Sequence, residues 1–145
     1  MRAVIQRVKH TTLSVDGRLV SEIPFGLAVY LGVKVGDTEE MPAAMAKKIA
    51  ALRIFEDENG KMNLSVGDVG GEIMLISQFT LYGDCSHGNR PSFIAAERPE
   101  RANALYEATR DELISRGMTV KTGIFGADMK IEQFNDGPVT IIYEI

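Results

Sequence analysis

Apolar and polar positions alternate along most of this chain, and only two stretches carry helical spacing. Residues 2–8 predict a first strand, and Thr11 to Asp16, with Leu13 and Val15 in alternation, a second. Asp16-Gly17 is a hairpin signal. Arg18 to Ile23 returns as a third strand, which Pro24-Phe25-Gly26 breaks. Leu27 to Val33 is apolar throughout, the pattern of a central strand covered on both faces. Gly36 to Glu40 then turns the chain into a helix, with Asp37 or Thr38 as the expected cap and Glu39 and Glu40 at the positive end of the dipole. That helix runs to about Leu52, and Met41, Met45, Ile49 and Leu52 form its core-facing stripe.

Arg53-Ile54-Phe55 is a short extended piece, followed by a polar turn at 56–61. That turn lacks the alternating oxygen ligands and closing glutamate of a calcium loop. Met62 to Ser65 reads as a short strand or link. A second helix opens on Pro99 and closes at Arg116-Gly117, with Ala102, Leu105, Tyr106, Thr109, Leu113 and Ile114 on its apolar face. Strands are expected at Met118 to Ile124, Met129 to Phe134 and Val139 to Ile145, separated by turns at Gly126-Ala127-Asp128 and Asn135-Asp136-Gly137-Pro138. In the last strand Val139, Ile141, Tyr143 and Ile145 share one face, while Ile142 lies on the other and calls for a cover of its own, by a helix or a second subunit. The sum is a mixed α/β fold of mainly antiparallel or mixed sheets, partly rolled or barrel-like, with two main helices. The linkers are short, so residues 1–145 are read as a single domain.

The chain is organised around Gly71 to Pro91. Its first half is the longest near-continuous apolar run in the sequence, interrupted by Ser77, Gln78 and Thr80. A buried hydroxyl or amide without a partner costs about 1–3 kcal/mol, so these groups either pair inside the protein or line a cleft. The chain beyond them is glycine-rich and polar, and residues 84–96 read as loop.

Composition changes the picture in three places. No apolar stretch reaches the length of a membrane-spanning helix, and the N-terminus does not read as a secretory signal. A single cysteine, Cys85, cannot form an internal disulfide, which points to the reducing cytoplasm. The net charge of −4 argues against non-specific coating of DNA or RNA. It leaves room for a local patch: Arg2, Arg7, Lys9 and His10 in one group, Arg90 and Arg98 in another, each of which reads equally as solvated charge.

Familiar catalytic patterns are missing. His10 and His87 are the only histidines, and the spacing of Ser77 and Thr80 from His87 does not require contact. Cys85 and His87 alone are too few ligands for zinc, so no metal is expected. Gly67, Gly70 and Gly71 precede a strand rather than opening a helix, which excludes the nucleotide-binding loops and leaves no cofactor in view.

Two stretches carry the reading further. Ser77-Gln78-Phe79-Thr80-Leu81 and Asn135-Asp136-Gly137-Pro138-Val139-Thr140 together resemble the two signature motifs of the D-aminoacyl-tRNA deacylase family. The resemblance extends to residues 1–8, Asn63-Leu64-Ser65, Arg90-Pro91-Ser92-Phe93 and Phe125-Gly126-Ala127-Asp128-Met129, and so spans the chain. It implies the fold of that family and a cytoplasmic homodimer. The implied reaction is hydrolysis of the ester between a D-amino acid, or glycine, and the terminal adenosine of tRNA, a proofreading step of translation quality control. Ser77, Gln78, Phe79 and Thr80 are then the catalytic pocket. Gly137-Pro138 is a cis pair inserted from the partner subunit, whose carbonyls leave no room for an L side chain. Backbone N–H groups at Phe79 and Thr80 are expected to face the ester carbonyl. Thr80 is a nucleophile by type, but no strong base is visible, which favours a water positioned with help from the ribose 2′-hydroxyl.

Arg7, His87 and Arg90 are the expected tRNA contacts. The stretch Gly83 to Asn89 departs from the family's usual pattern, which carries more positive charge there, so weaker phosphate attraction is expected. Two other functions fit the residues: a hydrolase of another small ester or amide using Thr80 or Ser77, and a non-catalytic module that binds the RNA end.

Overall fold

The computed structural model describes residues 1–145. Its elements are β1 (Arg2–Val15), β2 (Arg18–Ile23), β3 (Gly26–Gly32), α1 (Met41–Ala51), β4 (Phe55–Glu56), β5 (Met62–Leu64), β6 (Glu72–Ser77), a one-turn 3-10 helix (Phe79–Tyr82), α2 (Pro99–Ser115), β7 (Val120–Thr122) and β8 (Met129–Glu144). The main sheet runs β2-β1-β3-β6-β7, and β8 pairs the other edge of β1 along nearly its whole length. β1 is antiparallel to β2, β3 and β8, whereas β3-β6 and β6-β7 are parallel. The far half of β1 carries β2 back toward β6 and β7, where Ser21 Oγ donates to the Thr122 carbonyl at 2.9 Å. The sheet is thereby nearly closed into a barrel.

Alternation on the central strands feeds two separate cores. On β6, Ile73 and Leu75 pack with the helices, while Met74 and Ile76 pack inside the rolled half of the sheet. β3 does the same: Leu27, Val29 and Leu31 join the first core and Ala28 the second. All four of Ile73 to Ile76 are fully buried, as an apolar run between two covered faces requires. Helix α1 covers the first face with Met45, Ala46 and Ile49, and α2 with Ala102, Leu105, Tyr106 and Leu113. The Tyr106 hydroxyl donates to the Leu75 carbonyl at 2.8 Å and ties α2 to β6. Burial pushes the Tyr106 phenol pKa upward, so that donor stays protonated. Ile114, read above as part of the apolar face, is exposed at the end of α2.

The structure corrects three readings. Residues 2–8 and 11–16 are one strand, not two, because β8 runs beside both and holds them in a single ladder. That ladder slips at Gln6/Val8 and at Val8/His10. The slip puts Arg7 and Val8 both inward and moves β1 from the first core, with Ala3 and Ile5, to the second, with Val8 and Leu13. Asn135 to Pro138 is not a turn either; it is a bulge inside β8, opposite Arg7. Proline is tolerated there because a bulge leaves ladder positions unpaired. Finally, neither Asp37 nor Thr38 caps α1; the cap position is Glu40, which makes no side-chain bond. Asp37 is buried instead, 2.8 Å from the Met1 ammonium group, and accepts the Lys34 N–H at 2.7 Å. A buried cation drew that carboxylate away from the helix end.

Gly26, where β3 begins, has φ +140°, and a Cβ there would lie 1.9 Å from the Glu72 carbonyl oxygen on β6. Gly17, in the β1-β2 hairpin, has φ +73° with open space around it. Gly26→Ala is therefore expected to cost about 3 kcal/mol or more, and Gly17→Ala about 1 kcal/mol. Urea denaturation of both variants, compared by midpoint at constant slope, checks the contrast.

Candidate active site at the end of the buried strand

β6 ends at Ser77, where its apolar run ends. The Gln78 N–H still bonds the Leu31 carbonyl at 2.8 Å, and the chain then winds into the single turn Phe79–Tyr82. Phe79 and Thr80 are the first residues of that turn, and their N–H groups have no acceptor in it. No other backbone or side-chain acceptor takes them. They are two adjacent free donors on a fixed turn.

A cleft of about 600 Å³ opens beside this turn. Ser77, Gln78 and Phe79 line one wall. The rest of the lining comes from the loop and first turn leading into α2, with Phe93, Glu97 and Ala102, and from residues 125–129 at the start of β8. The Phe79 and Phe93 rings meet edge to face at 5.1 Å. The loop carrying Phe93 is held by the paired Asp84 and Ser92 backbones and by the Lys34-Ala96 bridge. Most of the lining is apolar, but it includes two carboxylates, Glu97 and Asp128. Glu97 lies 3.6 Å from Arg101, and Asp128 lies 2.9 Å from Lys130.

Of the expected catalytic residues, Ser77, Gln78 and Phe79 line the cleft together, and Thr80 follows on the same turn without lining it. The Thr80 hydroxyl accepts a hydrogen bond from the Gln78 side-chain amide. That amide is a neutral donor and cannot take a proton, so the geometry supplies Thr80 with no general base. Gly137 and Pro138 lie on the β8 bulge, joined by a cis peptide bond, and are not among the lining residues. One chain therefore does not bring the two motifs into one site.

Arg7, expected as a tRNA contact, points inward and is only 6% exposed. Its Nη1 donates to the Ile54 carbonyl at 2.8 Å. Its Nε lies 3.1 Å from the Asp136 carboxylate and 3.3 Å from the Asp136 carbonyl. Arg7 is spent on holding the bulge, because a buried guanidinium must satisfy its donors inside. His87 and Arg90 do face solvent, on the loop beyond the turn, as does Cys85. In that loop Asp84 accepts the Ser86 N–H at 2.8 Å, and this bonding holds its carboxyl below the usual range and charged.

The sequence profile described as D-Tyr-tRNA(Tyr) deacylase matches residues 4–144. The chain belongs to that deacylase family. A relative from Geobacillus sp. (strain WCH70), named D-aminoacyl-tRNA deacylase, is 56% identical over 144 residues, covering 99% of this chain and 95% of its own. One from Lactobacillus delbrueckii subsp. bulgaricus, with the same name, is 53% identical over the full length of both chains. Among solved structures, one described as a c-Myc DNA Unwinding Element Binding Protein superposes with a TM-score of 0.94 at 41% identity, covering 100% of this chain and 99% of that one. Another, described as a probable eukaryotic D-amino acid tRNA deacylase, gives 0.85 at 18% identity over 99% of this chain and 98% of its own, and shows the shared fold.

The cleft has parts that residue types alone did not mark. Glu97 and the start of α2 carried no motif. Phe125 to Met129 and Phe93 were visible only as stretches of family resemblance, with no role attached. Removing the inward guanidinium tests the reassignment of Arg7. Arg7→Met leaves the Ile54 and Asp136 carbonyls without their donor and the Asp136 carboxylate with Lys9 alone, 3.4 Å away, and is expected to cost about 3 kcal/mol in urea denaturation.

Proposed function

We propose that the protein hydrolyses the ester bond of D-aminoacyl-tRNA, releasing the free D-amino acid and the tRNA. The observation that carries this reading is the pair of free N–H donors at Phe79 and Thr80 beside the cleft, in a chain matched to its family over residues 4–144. In the proposed reaction the aminoacyl ester enters the cleft with its carbonyl oxygen at those two donors. Water attacks the carbonyl carbon, and the two N–H groups stabilise the oxyanion that forms. The intermediate collapses with cleavage of the ester C–O bond, and the ribose oxygen leaves with a proton. The neutral Gln78-Thr80 hydrogen bond supports water as nucleophile, with the ribose 2′-hydroxyl assisting, over direct attack by Thr80.

The active form is a cytoplasmic homodimer. Ile142, 70% exposed on the face of β8 opposite the helix-packed Val139, Ile141 and Tyr143, supports burial of that face by a second copy. Gly137-Pro138 then reaches the partner's cleft. Its backbone carbonyls exclude an L side chain, because a carbonyl on a planar peptide cannot rotate aside. A D side chain points elsewhere, and glycine has none, so glycyl-tRNA is also a substrate. No DNA or membrane enters this function; no helix is long and apolar enough to cross a membrane.

Purified protein is expected to hydrolyse D-tyrosyl-tRNA and glycyl-tRNA and to spare L-tyrosyl-tRNA. Hydrolysis of a small activated ester with no turnover of any charged tRNA would instead favour the general esterase reading, and tight tRNA binding without turnover the binding module. Thr80→Ala is expected to retain single-turnover activity within about tenfold, whereas loss of a true nucleophile costs four or more orders of magnitude. Arg90→Ala is expected to flatten the salt dependence of tRNA binding by roughly one phosphate's worth, read as a slope in log affinity against log salt.

A further inference from the structure

Glu144 on β8, Arg2 on β1 and Gly32 on β3 lie in register, side by side across the sheet. The turn Phe79–Tyr82 rests on this row. A Cβ at Gly32 would stand 3.0 Å from the Gln78 carbonyl oxygen and 3.2 Å from both the Leu81 Cβ and a Tyr82 ring carbon. The absence of a side chain at Gly32 is what lets the turn sit directly on β3.

Arg2 reaches across from the next strand and closes over the turn. Its Nη1 donates to the Leu81 carbonyl at 2.7 Å. Its guanidinium carbon sits 4.9 Å from the centre of the Tyr82 ring. Nε and Nη2 both donate to Glu144 Oε2, at 3.0 and 2.8 Å, which fixes the plane of the guanidinium. The last carbonyls of a one-turn helix have no partner within it, so the bond to Leu81 fills a vacancy that the turn cannot fill itself. Tyr82, underneath, is buried, and its hydroxyl has no hydrogen-bond partner of good geometry. Arg2 therefore joins three separate contacts on one planar group, which a lysine cannot do. It is spent on this turn rather than on the phosphate patch that its neighbours in sequence suggest.

We propose that Arg2 is a positioning residue for deacylation: it clamps the 79–82 turn onto Gly32 and so holds the Phe79 and Thr80 N–H groups aimed at the ester carbonyl. This rests on the deacylase reading of the cleft. Oxyanion stabilisation depends on donors fixed before reaction, and a displacement of about 1 Å can cost on the order of 100-fold in rate. Arg2 touches no substrate; it acts through the turn.

The test uses Arg2→Met, which keeps the aliphatic stem, together with Arg2→Lys. Single-turnover hydrolysis of D-tyrosyl-tRNA is followed across enzyme concentrations, and amide hydrogen exchange is measured on the same proteins without substrate. Arg2→Met is expected to lower the maximal rate by about 10- to 100-fold. Its half-saturating concentration should stay within about twofold, because substrate binding does not pass through Arg2. Exchange at the Leu81 and Gly83 amides, which close the turn, is expected to accelerate about tenfold or more. Exchange on β3 and β6 should stay unchanged. Arg2→Lys is expected to recover only a minor part of the rate. An unchanged maximal rate, a loss confined to half-saturation, or turn amides as protected as in the wild type would each overturn the proposal. A wild-type protein that fails to hydrolyse D-tyrosyl-tRNA overturns the function instead, and the exchange data then judge the clamp alone.

Discussion

β6 is buried on both faces and hydrogen-bonded on both edges, and everything around the site follows from that confinement. Four consecutive apolar residues, Ile73 to Ile76, alternate between two cores. Neither core exists without the strand: one is the helix-covered face and the other the inside of the rolled sheet. A strand so enclosed has no tolerance for a polar side chain, because an unpaired amide or hydroxyl inside it costs about as much as a lost core methyl or two. The change from Ile76 to Ser77 and Gln78 is therefore also the point at which the chain must leave the sheet. It leaves as a tight turn, and a tight turn exposes N–H groups that no neighbour takes. The cleft is the consequence of ending a buried strand this way.

The second confinement is the pairing of β1 with β8. These two long strands carry the mismatch between a sheet that packs against helices and a sheet that rolls over itself. The mismatch is absorbed at the slips around Val8, and Arg7 is the residue placed opposite the resulting bulge. Its hydrogen bonds to the Asp136 carbonyl and carboxylate make the bulge a defined feature rather than a frayed one. Arg2 does the equivalent at the start of the same strand, with the Phe79–Tyr82 turn in place of the bulge. The two arginines sit in one short segment of sequence, yet each bonds to one of the two motif regions: Arg7 is turned inward, and Arg2, its side chain 35% exposed, is paired with Glu144. On the loop beyond the turn, Arg90 and His87 face solvent.

Much of the fold was legible in the residues. Period-two alternation marked the strands, the Met41-Met45-Ile49 stripe marked α1, and Pro99 with Arg116-Gly117 bracketed α2. The organising stretch was identifiable as buried, and its polar end as paired inside or lining a cleft, from the cost of burying amides and hydroxyls; Ser77 and Gln78 line one. The errors share one cause. The breaks inferred at residues 9 and 10 and at Asn135 to Pro138 were read from local chemistry, polar pairs and turn formers, that usually ends a strand. Asp37 was read as a helix cap for the same reason. In each case a partner distant in sequence, β8 for β1, Arg7 for Asp136 and Met1 for Asp37, offered a better use of the same groups.

The sequence by itself determined the element types, the burial of β6 and the location of the polar break at Ser77, because those rest on local periodicity and on side chains whose transfer energies do not depend on topology; its two motifs carried the resemblance to the family. Tertiary structure decided which residues stand opposite one another. It turned Arg7 inward, brought Glu97 and Asp128 into the lining of one cleft, set Arg2 over the turn, and left Gly137 and Pro138 outside the cleft of their own chain. Those outcomes depend on strand register and on the roll of the sheet. Both are fixed by pairings between distant segments, where a slip of one residue changes the face on which a side chain lies.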